Sequence, residues 1–222
     1  MLETLFLVPT QLELKHVSNT FLEVVSKQQG RIEICGFGTI LSGIRTIQLI
    51  HELKPKRTVL FGIAGSLTSN LSVGEAVEFS SVACYGIGAG CGSQFVSSDE
   101  MGWQQWEGEN KPGDFVSIGN VISLTGQANP VGGNGQSELQ LLTGCSASAD
   151  LQDVEFRLSK FPNASAEDME GFSVAAACHL ANVPLKIIRG ISNHAGDRNV
   201  TGWKIGAAMS AVEKAVLEIL QV

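Results

Sequence analysis

A chain of 222 residues, 44% hydrophobic and 17% charged, can bury a substantial core; it fits one large α/β domain and would crowd two. A formal net charge of −7 without any basic stripe excludes a nucleic-acid-binding surface, because such surfaces gather Lys and Arg. Cys35, Cys84, Cys91, Cys145 and Cys178 are scattered, odd in number and without a C-x-x-C pair, which argues against a disulfide framework or zinc knuckle and for reduced thiols. The opening Met1–Pro9 segment has too short an apolar run for a signal peptide, and no stretch reaches membrane-spanning length, so a cytoplasmic chain without membrane contact is expected.

Taken in chain order, Thr4–Val8 reads as a buried strand, and a helix follows from about Leu12 to Lys27. Arg31–Cys35 alternates as a strand does. Gly36-Phe-Gly38 then turns into a helix with Ile40, Leu41, Ile44, Ile47, Ile50 and Leu53 on one face. Thr58–Ile63 is another buried strand, ending in Gly62-Ile-Ala-Gly65. Glu75–Cys84 and Phe115–Leu124 read as longer strands, and Leu139–Thr143 as a short one. The segment from Gly86 to Asn134, with Trp103, Trp106 and Asn129-Pro-Val-Gly-Gly-Asn134, reads as long loops around the sheet, a lid or a subunit contact. A helix begins near Glu170, Asn182-Val-Pro184 stops it, Leu185–Ile191 is a buried strand, and Gly206–Leu220 is a closing amphipathic helix. Such alternation predicts a largely parallel or mixed sheet with helices on both faces, in one domain over residues 1–222.

In open α/β sheets, ligand-binding groups collect where strands end. After the first strand, Glu13 could face the crevice and activate a water; an acid favoured by the helix dipole is the stronger account on this fact alone. Gly36-x-Gly38 lacks the third glycine of a dinucleotide fingerprint and follows the second strand, so it reads as a close-packed turn. Gly62-Ile-Ala-Gly65 is a better place for backbone to approach a ligand, or simply a tight turn. Ala166-Glu-Asp-Met-Glu-Gly171 puts three acids at a helix start, where the dipole favours them; alternatively, Glu170 could hold two vicinal hydroxyls with its two oxygens. The strand Leu185–Ile191 delivers Ser192-Asn193 and the polar loop His194-Ala-Gly-Asp-Arg198, which reads as a site. His16, His51 and His179 lie in helical patterns. Metal-ligand spacing and a G-x-S-x-G elbow are both missing, so neither a metal nor a cofactor is expected.

As a set, these segments resemble the nucleoside phosphorylase/nucleosidase superfamily, most closely its methylthioadenosine/adenosylhomocysteine nucleosidase and futalosine hydrolase branch. The resemblance rests on Gly36-Phe-Gly-Thr39, Gly62-Ile-Ala-Gly-Ser-Leu67 with Leu71-Ser-Val-Gly-Glu75, Asp168-Met-Glu-Gly171, and Val183-Pro184 with Ile188-Arg-Gly-Ile-Ser-Asn193. The resemblance implies a single three-layer α/β/α domain with a mixed central sheet, and hydrolysis of the N-ribosidic bond of a purine nucleoside without a metal. Glu13 falls on the water-activating glutamate, Met169 and Glu170 on the ribose-holding pair, and Gly65 in the glycine turn facing the sugar. Relatives of this fold are commonly dimers, which implies a homodimer or higher homo-oligomer.

Asn193 departs from the family, whose nucleosidases keep an acid there to contact the purine. A protonated Asp matches adenine by donating to N7 and accepting from the 6-amino group. Hypoxanthine presents two acceptors, N7 and O6, and the amide NH₂ of Asn suits that edge. The run Ile191-Ser-Asn-x-x-Gly-Asp-Arg198 with Trp203 is more similar to futalosine hydrolase, whose substrate carries hypoxanthine and a carboxyphenyl group; Arg198 would meet that carboxylate. Asn cannot act as a general acid, so the proton for the departing base would come from solvent or through His194 or Asp197. A second departure is Thr143–Ser148, which lacks the aromatic residue that nucleosidases stack on the base. The alternatives are an adenine-type nucleosidase, disfavoured by Asn193, a purine nucleoside phosphorylase, disfavoured by Glu13 where phosphate would need a cation, and a non-catalytic purine-binding domain, disfavoured by the presence of both Glu13 and Glu170.

Overall fold

The computed structural model describes residues 2–108, 117–124 and 139–220. Its strands are β1 (Thr4–Val8), β2 (Gly30–Ile34), β3 (Arg57–Ser66), β4 (Ala76–Phe79), β5 (Ser81–Cys84), β6 (Gly88–Ala89), β7 (Val96–Ser97), β8 (Val121–Ser123), β9 (Gln140–Thr143), β10 (Ala164–Asp168) and β11 (Leu185–His194). The helices are α1 (Gln11–Leu14), α2 (Asn19–Lys27), α3 (Thr39–Leu53), α4 (Leu151–Lys160), α5 (Gly171–Leu180) and α6 (Ile205–Ile219).

The main sheet runs β2-β1-β3-β10-β9-β5-β8, with β11 against β3 and β4 outside β11. Parallel pairs join β1 to β2 and β3, β3 to β11, and β9 to β5 and β10, whereas β10 meets β3 antiparallel, so the sheet is mixed. Consecutive strand residues point to opposite faces. Leu5, Leu7, Leu60 and Ile187 accordingly pack toward α3 and α5, while Phe6, Val8, Val59, Phe61 and Ile188 pack toward α2 and α6. Helices thus cover both faces, as the apolar strand pattern predicts.

The strand β3 organises the molecule. The whole length of β11 occupies one of its edges, and β1 and β10 share the other. The parallel partner β1 stops at Leu60 and the antiparallel partner β10 begins at Gly65, which leaves the backbone between them without a strand neighbour on that edge. Such a divergence of neighbouring strands is where an open α/β sheet forms a crevice.

Several elements differ from the sequence-based expectation. The helix expected over Leu12–Lys27 is broken into α1 and α2, because Ser18 caps a new helix by accepting from the Phe21 N–H at 3.2 Å. The strand expected over Glu75–Cys84 divides at Ser80, β4 pairing with β11 and β5 with β9. Helix α4 and strand β10 were not foreseen. Only Val121–Ser123 of the Phe115–Leu124 segment forms a strand among the described residues, and Asn129–Asn134 lies outside them. On α3, the inward side is Ser42, Thr46, Leu49 and Ile50, whereas Ile40, Leu41 and Ile44 are more than half exposed. Gly43 lets that inward side approach α5, where an added Cβ would sit 3.3 Å from Ser173.

Candidate active site

A cavity of about 440 Å³ opens beside β3 where β1 and β10 diverge. Its lining includes Glu13, Gly65, Met169, Glu170, Asn193 and Arg198, so all six site residues anticipated from the sequence meet at one place.

Glu13 sits in the first turn after β1 and is buried. One oxygen, Oε1, accepts the Ile63 N–H at 3.0 Å, taking the place of the missing strand partner on β3. The other, Oε2, accepts the Thr10 hydroxyl at 2.6 Å, while Thr10 Oγ1 caps the helix by accepting the Glu13 N–H. Burial pushes the Glu13 pKa up, against the opposing pull of the Arg189 charge and these hydrogen bonds. Gly62 makes this approach possible: a Cβ there would lie 2.5 Å from both Glu13 Oε1 and Arg189 Nη1.

Arg189 is the buried cation of the site. It lies within β11, fully enclosed, with Nη2 donating to Asp168 Oδ2 and reaching Glu170 Oε2 at 3.4 Å. Burial works against its charge, but Asp168, Glu170 and Glu13 together raise its pKa above the ordinary value. Asp168 ends β10 and accepts both the Thr143 hydroxyl at 2.6 Å and the Gly171 N–H at 2.8 Å, which fixes the start of α5. Glu170 stands at that helix start, and its Oε1 accepts the Gly38 N–H at 2.9 Å. The turn before α3 needs glycine at 38, where φ is +79°. Burial raises the Glu170 pKa to about 7, the Arg189 charge opposing and the neighbouring Asp168 and Glu13 charges adding to the rise. Among the described residues no group of three or more His, Cys, Asp and Glu side chains is arranged to hold a metal ion. The cation among Glu13, Asp168 and Glu170 is a guanidinium.

At the other end of the cavity, Glu167, Gly65 and Asn193 stand abreast on β10, β3 and β11. A bulge after Ile191 shifts the β11 register and brings Asn193 beside Gly65. Space remains at Gly65, since a Cβ there would meet Asn193 Nδ2 at 3.4 Å; the close-approach glycine is therefore Gly62. Asn193 Oδ1 accepts the Ser192 hydroxyl at 2.8 Å, and Nδ2 donates to the His194 carbonyl at 2.9 Å. One Nδ2 hydrogen remains, where the sequence argument counted two. Arg198 is exposed at the rim with Val200 and Trp203, whose Nε1 donates to the Asp197 carbonyl. His194 and Asp197 are exposed and neither lines the cavity.

Residues 140–221 match the model of the phosphorylase superfamily. A 5′-methylthioadenosine/S-adenosylhomocysteine nucleosidase of Desulfotalea psychrophila is 29% identical over 159 residues, which is 72% of this chain and 64% of that protein. A protein of the same name from Shewanella oneidensis is 26% identical over 83% of this chain and 75% of its own length. In three dimensions, the futalosine hydrolase of Helicobacter pylori superimposes with a TM-score of 0.73, at 17% identity over 99% of this chain and 97% of that one. A Colwellia psychrerythraea nucleosidase solved with adenine gives 0.70 at 18% identity, over 100% and 96% of the two chains. The family match thus covers the last part of the chain, and the likeness of fold covers nearly all of it. The expected fold, a mixed sheet between helices, is the one found here, and it superimposes on these solved structures. The stretch matched spans less than two thirds of the Desulfotalea relative.

Within this site, sequence reasoning missed Arg189, Asp168 and Thr143 as a connected unit. A signal existed: Arg189 interrupts an otherwise apolar run in a buried strand, where a charge survives only if paired.

Proposed function

We propose that this chain, acting as one domain, hydrolyses the N-ribosidic bond of a purine nucleoside. The observation that carries this reading is the meeting of Glu13, Glu170 and Asn193 in one cavity. Glu13, its pKa raised by burial, is suited to take a proton from water attacking C1′. Glu170, with Met169 beside it, holds the ribose hydroxyls, and the remaining Asn193 N–H supports the departing base. The four carboxylates lining the cavity, Glu13, Glu167, Asp168 and Glu170, favour water over phosphate as the acceptor of the ribosyl group, since they repel an anion. Arg198 is the sole basic side chain among the lining residues, and it stands at the rim.

The relatives' names favour an adenine nucleoside. Asn193 favours a 6-oxopurine, and futalosine is the substrate we infer. With Oδ1 taken by Ser192, the group left for a ligand is a donor, which matches O6 of hypoxanthine and not the 6-amino group of adenine. The Arg198 guanidinium, which no described side chain pairs with, suits a carboxylate beyond the ribose. The test is an Asn193→Asp variant assayed with futalosine and its 6-amino analogue. A buried mismatch is worth about 1–3 kcal/mol, so the kcat/KM ratio should shift roughly tenfold or more toward the amino compound. An unchanged ratio would refute the assignment of base specificity to residue 193.

We also infer a homodimer formed by the outer face of α3. Phe37, Ile40, Leu41, Ile44 and Ile47 make an uncharged exposed stripe continuous with the cavity rim at Phe37. Such a stripe is complementary to itself across a two-fold axis. Five free thiols suit the cytoplasm, and no described helix is long and apolar enough to cross a membrane.

A further inference from the structure

Behind the Asn193 end of the cavity lies a second buried charge cluster, separate from the one around Arg189. Arg157 on α4 is 2% exposed, Glu167 on β10 is 4% exposed, and Ser148 is fully enclosed. Arg157 Nη1 donates to Glu167 Oε2 at 3.0 Å and to the Ser146 carbonyl at 2.9 Å, and Nη2 donates to Asp153 at 2.9 Å. The guanidinium lies over the Tyr85 ring, 4.9 Å from its centre. The Glu167 carboxylate in turn accepts the Ser148 N–H at 2.8 Å and the Ser148 hydroxyl at 2.6 Å.

These bonds hold the Gly144–Ser148 loop at the Ser146 carbonyl, the Ser148 amide and the Ser148 hydroxyl. Cys145, Ser146 and Ala147 of that loop form a cavity wall, and Glu167 lines the same cavity one strand away from Gly65 and two from Asn193. The loop carries only small side chains, so packing of its own apolar groups cannot fix its position. A buried ion pair adds little net stability over apolar packing but defines geometry when its hydrogen bonds are made.

We propose that Arg157 is a positioning residue for the purine: acting through Glu167, it sets the distance between the Cys145–Ala147 wall and Asn193, and so the slot that receives the base. The assignment rests on the nucleoside chemistry proposed above. Deleting a buried charge partner outright threatens folding, so the working variants are Arg157→Lys, Glu167→Gln and Ser148→Ala. Each is compared with the unaltered protein by calorimetric titration with free hypoxanthine and adenine well below the melting temperature, alongside nucleoside kinetics. The dissociation constant for the base and KM should rise about tenfold or more in Arg157→Lys and Glu167→Gln and less in Ser148→Ala, with kcat changed far less. Folded variants that melt earlier yet bind base as tightly as the unaltered protein would overturn the positioning role alone. An unaltered protein that neither binds a purine nor cleaves a purine nucleoside would refute the underlying chemistry, and the positioning role with it.

Discussion

At the residue scale, the site is organised by burial of acids around one guanidinium. Glu13 is the residue with most at stake, because its carboxylate both replaces a strand partner for Ile63 and faces the cavity. Glu13→Gln preserves shape and an acceptor for Ile63 but removes the proposed base, so kcat should fall by about 10²–10⁴-fold with the melting temperature little altered. A fall of less than about tenfold in steady-state assays would assign water activation to another group. Glu170 gives a pH signature with two opposite signs. In the folded chain it keeps its proton up to about pH 7, whereas its unperturbed value is 4.5. Between those values the unfolded chain holds fewer protons, so raising the pH favours unfolding, and Glu13, shifted the same way, adds to the trend. Activity moves oppositely, since the ionised form is the better acceptor for ribose hydroxyls. Urea titrations from pH 5 to 8 should show stability falling while kcat/KM climbs through about pH 7; Glu170→Gln should flatten both slopes. A stability that rises with pH over this window would contradict the buried-acid account.

At the element scale, the face that α3 presents is the informative one. The apolar stripe at Ile40, Leu41, Ile44 and Ile47 was legible in the sequence, yet the core takes the helix through Ser42, Thr46, Leu49 and Ile50. Periodicity identifies an apolar face but not what covers it, and small residues such as Ser42 and Gly43 are what permit close approach to α5. An Ile44→Glu substitution places a charge in the middle of the stripe and should convert a dimer to a monomer in sedimentation equilibrium without loss of helical signal. An unaltered protein sedimenting as a monomer would refute the pairing inferred for this face. Continuous aliphatic runs made β1, β3 and β11 readable, because both of their faces are covered. Helix α4 was not, since Leu151–Lys160 is largely polar, and neither was β10, whose Ala164–Asp168 sequence has little strand propensity and is held by β9 and β3. The missed β10 matters most, because it carries Glu167 and Asp168 to the cavity.

At the scale of the whole molecule, the sheet topology explains why residues far apart in sequence converge. Divergence of β1 and β10 along β3 opens the crevice, and the ends of β1, β3, β10 and β11 deliver Glu13, Gly65, Glu170 and Asn193 to it. Family motifs pointed to the individual residues, but the Arg189 network linking them depends on which strands become neighbours, and one-dimensional spacing does not carry that. The net charge of −7 and the acidic cavity lining both weigh against phosphate as co-substrate. Hydrolysis is therefore the reaction proposed, and the decisive measurement quantifies hypoxanthine released from futalosine in phosphate-free buffer and again with phosphate added. Stoichiometric release of free base and free ribosyl product, at a rate indifferent to phosphate, is the predicted result. Release that requires phosphate and yields a ribose 1-phosphate product would contradict it and make the chain a phosphorylase.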